Sequence, residues 1–245
     1  TKKGVIKLSS SFKVIACPIA FNEENKIGSV VSRFNPDDVD EILVIDDGST
    51  DRTPEIAEEA GARVLRLDKR GGVGQAIRKA IEYARKKSFD IIVITAGNDK
   101  DRPSEIPRLL KPIIEDGYEF VQGSRYLPSG DYGNMPEYRL VATKYVHPLL
   151  MRIATGRPIT DSTNGFRAFK LNVLDHPEID INQEWLDAYE LEVYILYKVL
   201  SLGLKFTEVP VTKVYPEHNL GYTKMVPLVS WWRIIQIGRA SCRER

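Results

Sequence analysis

Along the first half of the chain, short β-branched runs alternate with stretches whose apolar positions recur every three to four residues. The first pattern predicts strands over Lys13–Ala20, Glu41–Asp46, Arg63–Leu67 and Asp90–Thr95, with a shorter one at Phe120–Gln122. The second predicts helices over Glu24–Phe34, Thr53–Ala60, Val73–Arg85 and Pro103–Ile114. Val73–Arg85 is the clearest, with Val73, Ala76, Ile77, Ala80, Ile81 and Ala84 on one face. Ser49 or Thr50 can cap the second helix, where Pro54 sits near the first turn. This alternation predicts an α/β fold: a mostly parallel, doubly wound central sheet flanked by helices.

The second half changes character. Ser129–Pro136 is a glycine-rich loop, Tyr138–Thr155 reads as helical, and Asp161–Phe169 is a polar turn entering a strand. Trp185–Leu202 reads as a helix, and Lys205–Val214 as a strand interrupted by Pro210. No Gly/Ser/Pro-rich linker or internal repeat divides the chain, so one domain is expected over residues 1–236. A nucleotide-binding half would span about 12–127 and an acceptor half about 128–236. The last nine residues, IGRASCRER (237–245), resemble a translated sequencing adapter and are left out of the fold reading.

Composition narrows the class. With 42% hydrophobic and 28% charged residues, the chain has the make-up of a soluble globular protein. A net charge of +1 gives no bulk reason to expect nucleic acid. Its two cysteines, Cys17 and Cys242, form no disulfide framework, which is compatible with a reducing compartment. No stretch approaches the ~20 apolar residues of a membrane helix. Met225–Ile235, with Trp231, Trp232 and Arg233, could still lie at a membrane interface.

Chemistry gathers where strands end. Four apolar residues, Ile42–Ile45, run straight into Asp46 and Asp47, then Gly48. Ligands bind at the carboxyl ends of strands in open α/β sheets, and ionised carboxylates there accept hydrogen bonds from a base or ribose. Helix capping and a solvated turn are the plainer alternative. PIAFNEE (Pro18–Glu24) follows the first strand, AGNDKDRP (Ala96–Pro103) the fourth, and GSRY (Gly123–Tyr126) the fifth. Arg125 can clamp a phosphate bidentately or form a salt bridge. Gly71–Gly74 precedes a strong helix, but no Lys-Ser/Thr follows it, so it is not a P-loop. His147, His176 and His218 show no metal-ligand spacing.

Together with NGFRAF (Asn164–Phe169) and GYTKM (Gly221–Met225), this series resembles the family 2 glycosyltransferases of the GT-A fold over about Phe12–Met225. It is most similar to the polyprenyl-phosphate sugar transferases of the dolichol-phosphate mannose synthase type. The resemblance implies a hexosyltransferase that moves a sugar from a GDP- or UDP-sugar to a polyprenyl phosphate with inversion, at the cytoplasmic face of a membrane. It implies nucleotide contacts from Pro18, Ala20, Glu23, Asp46, Asp47 and Asn98, and catalytic roles for Asp99, Asp101 and Arg125. Arg139, Lys144, Arg167 and Lys224 would face the acceptor phosphate, and Arg167 could equally order its loop. Glu190 or Glu192 could position the acceptor.

The resemblance also implies Mg²⁺ or Mn²⁺ held by an Asp-x-Asp motif, from which this chain departs. Aligned back from Pro103, Ala96 and Asn98 fall on the acidic positions. Asn98, Asp99 and Asp101 offer oxygens for a metal, and Lys100 could instead neutralise phosphate directly. A phosphate acceptor needs no general base, which fits the lack of an obvious one; Asp161, Glu190 or Asp101 would serve a hydroxyl acceptor. Three other readings stand beside this one. A saccharide-accepting transferase and a degenerate nucleotide-sugar-binding protein both fit the donor motifs. A nucleotidyltransferase should carry a glycine-rich basic loop after strand one, where PIAFNEE stands.

Overall fold

The computed structural model describes residues 12–215. Lys224, the Trp231–Arg233 cluster, GYTKM and the 237–245 tail therefore lie outside the described residues. Seven strands form one sheet in the order β3-β2-β1-β4-β6-β5-β7. They are β1 (Val14–Ala20), β2 (Glu41–Asp46), β3 (Arg63–Arg66), β4 (Ile91–Ala96), β5 (Phe120–Ser124), β6 (Arg167–Lys170) and β7 (Phe206–Pro210). All neighbours pair in parallel except β6, which runs antiparallel to both β4 and β5.

The strand alternation sorts side chains onto two cores. Ile15 and Cys17 of β1 join Leu43, Ile45, Ile92 and Ile94 on one face, covered by α3 (Val73–Lys86) and α7 (Glu190–Ser201). Val14 and Ala16 join Val44, Ile91 and Val93 on the other, covered by α1 (Ile27–Ser32), α2 (Thr53–Glu59) and α4 (Ile106–Glu115). Each helix turns its apolar stripe to the sheet, as with Ala76, Ile77, Ala80, Ile81 and Ala84 in α3. Burial raises the Cys17 thiol far above its usual range, as suits an inert core cysteine.

Three expectations shift. The helix expected from Trp185 begins as regular α7 only at Glu190, after a 3-10 turn at Glu184–Leu186. The intervening backbone docks instead on the start of α3, where the Asp187 carbonyl accepts from the Gln75 N–H at 3.2 Å. Regular strand β7 stops at Pro210, which has no N–H to continue a ladder, and beyond it Thr212 and Lys213 make only isolated bridges to Asp131 and Asp101. The 138–155 helix is continuous in path but contains a π turn at Ala142–Val146, between α5 (Glu137–Val141) and α6 (His147–Thr155).

Candidate active site

A cleft of about 420 Å³ opens at the carboxyl ends of β1 and β4. It lies where β1 has β2 on one side and β4 on the other, with crossovers leaving to opposite faces. That is the switch point at which open α/β sheets bind ligands.

The acid pair splits at this edge. Asp46, the last residue of β2, is fully buried, and its carboxylate accepts from the Ser49 N–H at 3.2 Å and faces Arg66 Nε at 3.4 Å. It holds the turn together and does not line the cleft. Asp47 does. Its Oδ1 accepts from the backbone N–H groups of Gly71 at 2.7 Å and Gly72 at 3.0 Å, which ties the glycine loop before α3 to the cleft wall. Gly48 makes the bend between them: its φ is +72°, and a Cβ there would lie 2.6 Å from the Arg70 nitrogen.

Other residues expected on the nucleotide divide similarly. Ala20, Glu23 and Asn98 line the cleft; Pro18 is buried within β1, opposite Thr95 of β4. Glu23 is oriented by Lys26, whose Nζ donates to Oε2 at 3.0 Å.

The turn after β4 differs from the expected metal site. Ala96 offers no side-chain ligand. Asp99 sits at φ +64° and makes an ion pair with Arg33 at the end of α1. Asp101 is sealed from solvent and accepts from the Ala96 N–H at 2.9 Å, from Thr95 Oγ1 at 3.2 Å and from Lys213 Nζ at 2.6 Å. Of the three oxygens expected to hold a metal, the amide of Asn98 alone faces the cleft. Among the described residues, no three His, Cys, Asp or Glu side chains converge to hold a metal ion. The described residues of this turn do not fit a divalent cation.

Cations stand there instead. Lys26, Lys100, Arg139 and Lys213 all line the cleft. Lys100 is 6% exposed, with Nζ 5.0 Å from the centre of the Tyr215 ring, and the Arg139 guanidinium lies 5.2 Å from the same ring. Burial first, then the charges of Lys213, Arg139 and Lys26, push the Lys100 amine down to about 8, against a smaller pull from Glu23.

Arg125 and Arg167, expected on phosphate, are placed elsewhere. Arg125 is 2% exposed, and its guanidinium is taken up by Asp161, Thr163 and Tyr215. Burial alone would disfavour both charges, but the pairing wins: Asp161 is held below the usual carboxylate range and Arg125 is raised. This also removes Asp161 as a base. Arg167 donates to the Glu192 carbonyl at 2.7 Å and to the Asn164 carbonyl, ordering the loop beneath the cleft. Lys144 lies outside the cleft, within 6 Å of the rings of Tyr126, Tyr132 and Tyr145. Glu190 is buried in the first turn of α7, while Glu192 faces the cleft.

Sequence reasoning missed Lys26, Lys213, Tyr189 and Tyr215 as cleft residues. Only Lys26 carried a signal, three residues beyond Glu23 at the mouth of the first helix. The others come from the ends of distant elements.

Residues 17–176 match the family model described as Glycosyl transferase family 2. The polyprenol monophosphomannose synthase of Mycolicibacterium smegmatis is 30% identical over 190 residues, covering 75% of this chain and 69% of that protein. The dolichyl-phosphate hexose transferase of Haloferax volcanii is 33% identical over 214 residues, covering 84% of each. Glucosyl-3-phosphoglycerate synthase from Mycobacterium tuberculosis, solved with Mn²⁺, UDP-glucose and phosphoglyceric acid, has the same fold. It superposes with a TM-score of 0.71 at 21% identity, covering 96% of this chain and 81% of that one.

Proposed function

The chain belongs to glycosyl transferase family 2 and is a glycosyltransferase; on that premise we propose that it moves a sugar from a nucleoside-diphosphate sugar to a polyprenyl phosphate. The donor's nucleoside end is assigned to the wall formed by Ala20, Glu23 and Asp47, and its diphosphate to the cations near β4. An oxygen of the acceptor phosphate attacks the anomeric carbon. The bond from that carbon to the diphosphate breaks, and its electron pair leaves with the nucleoside diphosphate. In-line attack gives inversion. Because the acceptor is already an anion, no residue has to remove a proton. The cleft's cations stabilise the charge that grows on the leaving diphosphate.

The observation that carries the acceptor is the helix from Glu137 to Thr155. Its Arg139 lines the cleft, while Tyr138, Val141, Tyr145, Leu149 and Ile153 are between 54% and 72% exposed. These positions recur every three to four residues and form one apolar stripe beginning beside the cleft. An exposed stripe of this kind fits a lipid surface better than water. It would bring the cleft to a phosphate whose tail stays in a bilayer. No helix among the described residues is long and apolar enough to cross a membrane.

Glu192 gives a saccharide acceptor its footing, since a carboxylate facing the cleft could take a proton from a hydroxyl. The discriminating experiment presents GDP- and UDP-sugars with either a short polyprenyl phosphate or soluble saccharides. The proposal expects the lipid-phosphate product, formed also by Glu192→Gln. Transfer to saccharides alone, abolished in Glu192→Gln, would replace it.

A further inference from the structure

We propose that the diphosphate of the donor is met in this cleft by fixed protein cations, Lys100 together with Lys213, Lys26 and Arg139, and that donor binding therefore needs no divalent metal ion. The inference rests on the reading of the cleft as a nucleoside-diphosphate-sugar site.

Two features of the turn after β4 carry it. The first is how its acids are spent. A Mg²⁺ ion asks for near-octahedral oxygen coordination, commonly anchored by one or two carboxylates. Here Ala96 supplies nothing, Asp99 is paired with Arg33, and Asp101 faces inward onto the Ala96 N–H. Asp101 also holds Lys213, whose Nζ reaches Asn164 Oδ1 at 3.2 Å as well. A carboxylate in the expected metal region thus positions an ammonium group at the cleft wall.

The second is the company that Lys100 keeps. Lys100, which is nearly buried, lines the cleft together with Lys26, Arg139 and Lys213, so ammonium and guanidinium donors stand on one stretch of its wall. A sugar nucleotide brings one negative charge on each of its two phosphates, which matches these donors. A dication entering among these groups meets repulsion instead. When the glycosidic bond breaks, the electron pair passes to the leaving diphosphate, and ammonium N–H groups already in place donate hydrogen bonds to its oxygens. The step requires no proton transfer.

Calorimetric titration of the full chain with GDP and UDP, in EDTA and again with Mn²⁺, tests this, with guanosine and uridine as uncharged controls. The expected result is a nucleoside diphosphate whose Kd in EDTA lies within about threefold of the Mn²⁺ value. Lys100→Met should weaken that ligand at least about tenfold, the effect of losing a hydrogen bond to a charged group, and spare the nucleoside. Lys100→Arg should restore part of the loss. If Lys100→Met fails to fold, Lys26→Met at the more accessible rim should give a weaker effect of the same sign. Binding abolished by EDTA and restored by Mn²⁺ overturns the proposal but leaves the nucleotide site standing. Failure of both diphosphates to bind in either condition overturns the donor reading, and the proposal with it.

Discussion

Arg125 and Asp161 form a two-pronged ion pair sealed from solvent, with Nε to Oδ2 at 2.7 Å and Nη2 to Oδ1 at 2.8 Å. The arginine's remaining nitrogen donates to the Tyr215 hydroxyl at 3.1 Å, and the Tyr215 ring lies near Lys100 and Arg139. The pair therefore fixes the platform beside the cleft without entering it. Removing either partner strands a buried charge. Asp161→Ala is expected to cost about 3–5 kcal/mol of stability, measured by denaturant unfolding. Replacing both with apolar residues should recover much of it. A stable Asp161→Ala variant with only its turnover lost would instead make Arg125 a substrate ligand.

Asp47 joins the glycine loop to the cleft wall through Gly71 and Gly72. Its carboxylate has lone pairs left for a ligand after those bonds. Asp47→Ala should raise the donor KM at least about tenfold, the scale of losing one or two charge-assisted hydrogen bonds. The acceptor KM should stay unchanged. Asp46→Ala should act through stability, because Asp46 is buried in its own turn. Equal KM effects from both variants would contradict this division of labour.

Much of this architecture was written in periodicity. The six residues Glu41–Asp46 were legible as a strand because an apolar, β-branched-rich run, Ile42–Ile45, led straight into turn chemistry, and the structure keeps those bounds. The α3 stripe was legible for the same reason. What periodicity does not carry is long-range pairing. Nothing local says that β6 inserts antiparallel between β4 and β5. Arg125 read as a phosphate clamp because its partner Asp161 is 36 positions away. Lys213 reaches Asp101 across 112 positions, so the cationic wall emerged only when the ends of separate elements met. The Asn98–Asp101 region was legible as unusual, but not where its carboxylates would point.

Gly48 is a backbone requirement. Its φ of +72° and the 2.6 Å approach of a Cβ to the Arg70 nitrogen leave no room for a side chain. Gly48→Ala should cost at least about 2 kcal/mol, from left-handed strain plus displacement of the 69–72 backbone. Thermal unfolding would read it directly. A change within about 0.5 kcal/mol, typical of a surface substitution, would mean that this loop repacks freely.

The exposed stripe on α5–α6 predicts a separable membrane defect. Burying a side chain such as Leu149 or Ile153 is worth about 1.5–3 kcal/mol. The double variant Leu149→Glu, Ile153→Glu should therefore lower vesicle co-sedimentation at least about tenfold. Calorimetric binding of a nucleoside diphosphate should stay unchanged, since neither residue lines the cleft. Vesicle binding equal to that of the parent chain would remove this helix as the docking face.

Lys100 gives the donor site a pH dependence with a defined sign. Burial, then Lys213, Arg139 and Lys26, push the amine down to about 8, opposed by Glu23. Below that value the ammonium form dominates in the empty cleft, so diphosphate affinity should be nearly flat. As pH rises through about 8 the empty site loses the proton that the ligand needs. Affinity should then fall, approaching tenfold per pH unit for one linked proton. Once bound, the diphosphate holds the ammonium charged, so the fall ends at the higher pKa of the complex. Lys100→Arg keeps its charge throughout this range and should abolish the decline. Calorimetry between about pH 7 and 9 would measure both curves. A parent chain as flat as Lys100→Arg would mean that Lys100 does not bind the diphosphate as an ammonium.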